Sequence, residues 1–375
     1  MRFSKDRIII IYLLLFSMGI LAAGCKENPL LFAGGYSENT AENLSVFEFN
    51  FKNGNIKAVT GINAGPNPSY FCFSDKYDLI YALNEVMEFG GNPSGGVTTL
   101  RYNRGKGRLE KLDEMLVPYG GPCYISGSAD GAFLLMANYS SGSVAVVKLD
   151  ESGMPERVTD SILFEVEAPD VSHPHMIMQD PAGKHVYLTD LGLDRIIGYN
   201  LDKNNGTLTL LTNGVTTLPK GSGPRHFVFN SSGTKMYLIN ELGSTIMVFD
   251  VDENGGLQLS QTLPSVADGF TGRNYCADIH ISMDGKFLYG SNRGENTIVV
   301  LKILEDGTLS LAGRASCGGD WPRNFVIDPS GKFLLVGNQR SDDISVFRID
   351  SKTGIPNGPI NTKSFTSPAC LKFRN

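Results

Sequence analysis

Four side chains with acid–base or charged groups occupy matching places in a motif that recurs along the sequence. His175 and Arg225 each follow a proline, and Glu241 and Arg293 each follow an asparagine that ends an apolar run. An imidazole or a carboxylate can accept a proton from water, and fixed guanidinium groups can stabilise negative charge that develops on a carbonyl oxygen. These residue types therefore predict a catalytic site for an anionic ligand with a polarisable carbonyl group.

Two further residues of the motif are candidates for substrate binding. Arg323 follows Pro322 as Arg225 follows its own proline, and His226 comes directly after Arg225. Because adjacent residues of a strand alternate between its two faces, Arg225 and His226 are alternatives for one inward-facing position, and we prefer Arg225. The structural alternative for Glu241 and the arginines is that they only pair with each other, as buried charges usually do.

His173 and His175 form a His-x-His pair, which raises the question of a metal site. On a strand the two side chains face the same side, and such a pair can bind zinc. A third ligand would have to come from His226 or His280, and the spacing requires neither. We therefore expect no metal ion and no other cofactor, with His175 as a proton shuttle and His173 as a hydrogen-bonded support beside the substrate.

The motif belongs to a repeat of about 50 residues, which is the length of a four-stranded unit with hairpin turns. Each copy has a first strand marked by an anchor residue, a turn that contains glycine, and a second strand that ends in Asn or Asp. The anchor is proline in every copy but one. The seven anchors are Pro68, Pro122, Pro174, Pro224, Cys276, Pro322 and Pro368.

The last copy is incomplete, and the start of the chain supplies what it lacks. The sequence ends in a lone first strand, Ser367 to Phe373, and begins with predicted strands at Leu30 to Gly34, Leu44 to Phe49 and Ile56 to Ile62. Joining the two ends predicts an all-β fold, a seven-bladed β-propeller closed by N- and C-terminal strands in one blade. The first strand of each blade lines the central channel of a propeller, so equivalent residues converge on the axis. We call the converging set the axial cup, and its members are His175, Arg225, Glu241, Arg293 and Arg323.

The first 24 residues have the pattern of an export signal peptide. Basic residues precede an apolar run from Ile8 to Leu21, and Leu-Ala-Ala-Gly-Cys ends at Cys25. This resembles a lipoprotein lipobox, although Ala22 occupies the place usual for leucine. We expect cleavage before Cys25, its lipidation, a tether over residues 25–29 and the propeller over residues 30–375. The protein would then be exported, periplasmic or outer-membrane-associated, and would touch the membrane only through the lipid.

Composition narrows the choice of partners. A net charge of −6 with scattered Lys and Arg gives no basic stripe for nucleic acid. The five cysteines after Cys25 are expected to be buried thiols, since their spacing assigns no disulfide. We expect a monomer that binds a small molecule.

The strings that carry the axial cup resemble one enzyme family. His-Pro-His-Met, Thr-Asp-Leu-Gly-Leu-Asp-Arg, Gly-Pro-Arg-His-Phe, Asn-Glu-Leu-Gly-Ser-Thr, Ser-Asn-Arg-Gly and Trp-Pro-Arg-Asn-Phe resemble the propeller-type bacterial 6-phosphogluconolactonases, a family that also includes fungal carboxy-muconate lactonising enzymes. The similarity runs from about Leu30 to the C-terminus. It implies that His175, Arg225, Glu241 and Arg293 form the active site.

The resemblance further implies hydrolysis of a sugar δ-lactone, with 6-phospho-D-glucono-1,5-lactone, a pentose-phosphate-pathway-type substrate, as the first expectation. Glu241 or His175 would activate water, Arg225 and Arg293 would hold the oxyanion, and Arg323 would bind the phosphate. No Gly-x-Ser-x-Gly motif is present, which disfavours a serine nucleophile. The export signal keeps two alternatives open: an exported lactonase or lactonising enzyme for another anionic lactone, and a non-catalytic ligand-binding propeller.

Overall fold

The computed structural model describes residues 29–37, 41–74 and 76–374, and these residues form β-strands and turns without a helix. No helix that could cross a membrane is therefore found in this part of the chain. The first fourteen strands are β1 (Leu30–Gly35), β2 (Leu44–Phe49), β3 (Ile56–Ile62), β4 (Phe71–Phe73), β5 (Ile80–Asn84), β6 (Ser94–Asn103), β7 (Arg108–Pro118), β8 (Pro122–Gly127), β9 (Phe133–Asn138), β10 (Ser143–Leu149), β11 (Pro155–Leu163), β12 (Pro174–Gln179), β13 (Val186–Asp190) and β14 (Arg195–Leu201).

The second half of the chain repeats the same pattern of short strands joined by tight turns. Its strands are β15 (Leu208–Thr217), β16 (Pro224–Phe229), β17 (Lys235–Asn240), β18 (Thr245–Val251), β19 (Leu257–Pro264), β20 (Tyr275–Ile281), β21 (Phe287–Arg293), β22 (Thr297–Ile303), β23 (Leu309–Ser316), β24 (Pro322–Ile327), β25 (Phe333–Asn338), β26 (Asp343–Ile349), β27 (Pro356–Ser364) and β28 (Pro368–Arg374).

The strands form seven antiparallel four-stranded sheets, which confirms the predicted seven-bladed propeller. Blade one contains β28 followed by β1, β2 and β3, and blades two to seven each contain four consecutive strands from β4–β7 to β24–β27. First strands of neighbouring blades contact each other, as between β12 and β16 and between β20 and β24. The inner strands of the sheets therefore surround one axis.

The two ends of the chain close the ring, as predicted. β1 pairs antiparallel with β28, with Leu30 opposite Arg374 and Gly34 opposite Cys370. This pairing removes two sheet edges that would otherwise be open to other strands. The N-terminal strand of the propeller and its last strand thus stabilise one blade together.

A buried tyrosine on the second strand of several blades links that blade to the next. The hydroxyl of Tyr237 donates to the carbonyl oxygen of Gly307 at 3.0 Å, and that of Tyr289 donates to Gly354 at 2.9 Å. Both acceptor glycines have positive φ angles, 79° and 72°, which favours glycine in these turns. Equivalent bonds from Tyr81 and Tyr187 repeat the link in other blades.

Candidate active site

The first strand of a blade begins with a β-bulge, and this bulge delivers the axial side chains. In blade five the register with β17 shifts between Pro224 and His226, so Arg225 is the extra residue. Because strand residues alternate between two faces, we expected only one of Arg225 and His226 to face the axis. The bulge brings both side chains to it. Their side chains meet, with Arg225 Nη1 3.4 Å from His226 Nε2. The same shift follows the anchors of blades three, four and seven.

Glu241 lies between two arginines at the centre of the axial cup. Its Oε2 is 2.9 Å from Arg225 Nε and 2.6 Å from Arg293 Nη2. The Arg225 contact is close but poorly aligned for a hydrogen bond, so we treat it as an ion pair. Both guanidinium groups are almost completely buried, and Glu241 remains 17% exposed. One carboxylate thus sets the distance between two fixed positive charges.

Backbone carbonyl groups hold the two guanidinium groups from the side of blade six. Arg225 Nη1 donates to the carbonyl oxygen of Ala277. Arg293 donates through Nε to Tyr275 at 3.0 Å and through Nη2 to Cys276 at 3.1 Å. The three acceptors are consecutive residues of β20. This strand therefore orients both arginines.

The charges of the axial cup shift the pKa values of its members. Burial raises the pKa of Glu241, but Arg293, Arg225 and Arg323 together outweigh it and the pKa is lowered overall. Burial lowers the pKa of Arg293 to about 10, despite the opposing effect of Glu241. At neutral pH the carboxylate is ionised and the arginine is protonated. The cup is charged before any ligand arrives.

His175 lies at the axis as a neutral imidazole. It is 5% exposed, and burial together with Arg225, His226 and the other arginines holds its pKa well below the usual range. Its Nδ1 is buried and has no hydrogen-bond partner among the described residues. A buried polar atom without a partner costs free energy and is often explained by a water or ligand. His175 therefore has a buried ring nitrogen at the axis that no described protein group contacts by a hydrogen bond.

His173 is placed differently from His175, although the two residues lie close in sequence. Its ring stacks on Tyr139 with centroids 4.3 Å apart, and its Nδ1 is 2.9 Å from the Tyr139 carbonyl oxygen. Its backbone N–H donates to Asp190, a buried carboxylate. Among the described residues, no group of three or more His, Cys, Asp or Glu side chains is arranged to hold a metal ion. His173 supports the Tyr139 side of the cup.

Arg323 approaches the axis from blade seven and has partners of its own. It donates to the hydroxyl of Tyr36, whose ring centroid is 4.8 Å from the guanidinium carbon. Tyr36 in turn donates to Glu85 Oε2 at 2.7 Å. Burial lowers the pKa of Arg323, but Tyr36, Glu85 and Glu241 raise it above its ordinary value overall. Arg323 keeps its positive charge beside a second carboxylate.

Trp321 at the rim was missed by reasoning from the sequence. Its φ of 68° is unusual for a bulky residue, and Gly223 has a similar φ at the matching position of blade five. The Arg340 guanidinium lies 3.3 Å from the indole centroid, and that of Arg293 lies 5.5 Å from it. The signal in the sequence is a tryptophan at a repeat position where small or turn-forming residues are expected.

Other features of the described residues lie away from the cup. The five cysteines of this part are buried, as expected, and four of them lie in first strands of blades. A cavity of about 670 Å³ between blades five and six includes Asn230, Asp284 and Asp306, which belong to turns at the opposite end of the propeller. A smaller cavity of about 320 Å³ lies in the equivalent place between blades two and three. Because the cavity recurs between blades, we attribute it to blade packing.

The fold and the site together define this protein as a seven-bladed β-propeller with charged side chains and histidines that converge on its axis. The family model described as "Lactonase, 7-bladed beta-propeller" matches residues 30–373. The chain therefore belongs to the seven-bladed β-propeller lactonase family. Membership makes it a lactone-hydrolysing enzyme, a carboxylic ester hydrolase, and sets aside the non-catalytic alternative.

Relatives and a solved structure agree with this assignment. The chain is 27% identical over 348 residues to a 6-phosphogluconolactonase of Bacillus subtilis, covering 91% of this chain and 97% of that protein. It is 32% identical to a 6-phosphogluconolactonase of Formosa agariphila, covering 86% and 93%. The periplasmic gluconolactonase of Pseudomonas aeruginosa superimposes with a TM-score of 0.86 at 31% identity, covering 92% of this chain and 98% of that one.

Proposed function

We propose that this enzyme hydrolyses 6-phospho-D-glucono-1,5-lactone to 6-phosphogluconate in the axial cup, without a metal ion. The observation that carries the proposal is the pair of buried arginines that meet at one oxygen of Glu241 beside the neutral His175. Fixed positive charges in a water-poor site stabilise an oxyanion far better than they would in water. A neutral imidazole can take a proton from water at neutral pH.

In the proposed reaction, His175 removes a proton from water as the water oxygen attacks the lactone carbonyl carbon. Arg225 and Arg293 stabilise the negative charge of the tetrahedral intermediate. The bond from this carbon to the ring oxygen then breaks, and the His175 imidazolium returns the proton to that oxygen. The same arginines depress the pKa of His175 in the free enzyme. Because the oxyanion offsets their charge, the base becomes stronger as the intermediate forms.

Glu241 is better suited to hold the arginines than to act as the base. Its pKa is lowered, and its Oε2 already faces both guanidinium groups. Nδ1 of His175, by contrast, has no hydrogen-bond partner among the described residues. We therefore assign water activation to His175, and to Glu241 the task of keeping Arg225 and Arg293 apart and oriented.

The charge of the cup supports an anionic substrate. Three arginines, Arg225, Arg293 and Arg323, face two carboxylates, Glu241 and Glu85, so the site has an excess of positive charge while His175 is neutral. Arg323 is the one that does not form an ion pair with Glu241. We assign the substrate phosphate to Arg323, with His173 and His226 supporting the cup.

A second candidate substrate is an unphosphorylated aldonolactone outside the cytoplasm. Tyr36 contacts Arg323 and donates a hydrogen bond to Glu85. The negative charge of Glu85 weakens the attraction of Arg323 for a doubly charged phosphate group. The predicted export signal favours the same substrate, because it would carry the enzyme out of the cytoplasm.

We propose that residues 1–24 are removed as an export signal peptide, that Cys25 is lipidated and that residues 25–29 tether the propeller. These residues before Pro29 lie outside the described part of the chain.

The test compares hydrolysis of 6-phosphoglucono-δ-lactone and glucono-δ-lactone by a chain that starts near Pro29, with the spontaneous rate subtracted. Arg225→Ala should abolish most turnover of both lactones. Arg323→Gln should raise KM for the phosphorylated lactone about tenfold and leave the other within about twofold, since only the phosphate contact is removed. Faster turnover of glucono-δ-lactone would select the second substrate. No acceleration of either lactone would contradict the proposal.

A further inference from the structure

Beneath the axial cup lies a layer of seven buried side chains, of which the catalytic proposal uses only His226. Each is the second residue after a blade anchor, and each is less than 9% exposed. We call this layer the floor ring. Its members are Tyr70, Tyr124, Met176, His226, Asp278, Asn324 and Cys370.

The floor ring is packed, and one of its members carries an acidic group. The rings of Tyr70 and Tyr124 are 4.4 Å apart, and Tyr124 is 5.4 Å from the ring of His226. Asp278 occupies the place in blade six that His226 occupies in blade five. It is 2% exposed and lies within ion-pair distance of no lysine or arginine among the described residues. A buried carboxylate without such a partner requires other stabilisation.

Hydrogen-bond donors supply that stabilisation from several sides. Asp278 Oδ1 is 2.9 Å from His226 Nδ1, and Oδ2 is 2.9 Å from His280 Nε2. The amide of Asn324 and the backbone N–H of Phe325 also donate to Oδ2. Burial raises the pKa of Asp278, but the two histidines bring it well below its usual range. The carboxylate is ionised and accepts hydrogen bonds only.

An ionised Asp278 determines which nitrogen of His226 carries the proton. Burial and Arg225 lower the pKa of His226 to about 4, so its ring is neutral and has one N–H. Because Asp278 can only accept, that N–H is at Nδ1. The lone pair is then at Nε2, which lies 3.4 Å from Arg225 Nη1. In the other tautomer, an N–H would point at the guanidinium group instead.

We propose that Asp278 is a positioning residue for lactone hydrolysis, holding His226 in the tautomer that supports the Arg225 guanidinium from below. Arg225 is then fixed on three sides: by Glu241 in the cup, by the carbonyl of Ala277, and by the His226 lone pair. The inference rests on the proposed role of Arg225 at the oxyanion. A group that fixes the tautomer and orientation of a functional histidine can affect turnover strongly without touching substrate.

The first experiment is kinetic. Asp278→Asn keeps the shape but cannot accept from both histidines, so we expect kcat to fall at least about 30-fold while KM changes less than about threefold. His280→Gln is the matched control, because His280 contacts the same carboxylate but lies two residues further from the cup along β20. It should stay within about twofold of wild type. A folded Asp278→Asn variant with kcat within threefold of wild type would overturn the proposal.

If Asp278→Asn does not fold, a second pair of variants tests whether the His226 lone pair supports Arg225. His226→Gln can place an amide oxygen near the position of Nε2, whereas His226→Asn can reach only the position of Nδ1. We expect His226→Gln to retain at least about tenfold more kcat than His226→Asn. Equal rates for the two variants would contradict the role of the lone pair.

A third readout needs no turnover and separates this inference from the proposed function. The chain has five histidines, so nitrogen-15 labelling of histidine gives few signals to assign. We expect wild-type His226 to be protonated at Nδ1 between pH 6 and 8, and this pattern to change in Asp278→Asn. Protonation at Nε2 in the wild type would refute the inference even for an active enzyme. If His226 has the expected tautomer but the chain hydrolyses neither lactone, the proposed function is rejected. The inference that Asp278 fixes the tautomer of His226 would still stand.

Discussion

Replacing Glu241 with glutamine tests whether the axial cup is held together by charge. The substitution keeps the side-chain shape and removes the negative charge shared by Arg225 and Arg293. At an effective dielectric constant of about 20, a contact near 2.9 Å corresponds to roughly 6 kcal/mol of attraction, most of it offset by desolvation. Leaving buried charges without their partner costs about 3–5 kcal/mol. We expect a loss of about that size in the free energy of unfolding, measured by urea denaturation at pH 7.

Two controls make this result specific to the cup. Glu48→Gln removes a carboxylate paired with Lys57, and both side chains are more than half exposed, so its loss should stay below about 1 kcal/mol. A cycle with Glu241→Gln, Arg293→Gln and the double variant should give a coupling energy above about 1 kcal/mol. If Glu241→Gln lowers the free energy of unfolding no more than Glu48→Gln does, charge pairing does not hold the cup together. The same variant should also lower kcat, because the arginines lose their orientation.

Three further predictions follow from the contacts and pKa shifts described. Because the pKa of His175 lies well below 6.5, kcat/KM should stay level as pH falls through 6.5 and decline only at lower pH; a decline centred at 6.5 would reject His175 as the base. The pKa of His226 is about 4 in the folded state against 6.5 in the unfolded chain, so stability should fall by about 3 kcal/mol between pH 6.5 and 4, and urea denaturation of His226→Gln should show less of this loss. Tyr237→Phe removes the bond to Gly307 and should cost about 1–2 kcal/mol while lactone turnover stays unchanged; altered turnover would mean that blade packing reaches the cup.

The sequence predicted the ring of blades well because the repeat is local. Each copy contains its own strands and turns, and β2 and β3 have the predicted bounds Leu44–Phe49 and Ile56–Ile62. The positions after the anchors and after the second strands also placed Arg225, Glu241 and Arg293 together, since symmetry alone brings equivalent residues to one axis. Most of the prediction of the fold and of the axial residues therefore rested on the repeat.

The sequence was less informative where the repeat is broken or where contacts are distant. The bulge adds one residue to the first strand, so strict alternation could not show that Arg225 and His226 both reach the axis. The contact of Arg323 with Tyr36 joins residues 287 positions apart, and only closure of the ring brings them together. Asp278 follows an anchor that is not proline, which obscured its alignment with His226.

The pairing that closes the ring also fixes where the chain enters the propeller. β28 starts at the end of the axis where the cup lies and finishes at the other end, and Leu30 pairs with its last described residue, Arg374. Pro29 therefore lies at the end of the propeller away from the cup. A five-residue tether spans at most about 17 Å. If Cys25 is held in a membrane, such a tether would keep the base of the propeller against the lipid, and the mouth of the cup would face the surrounding solution, where a soluble lactone diffuses.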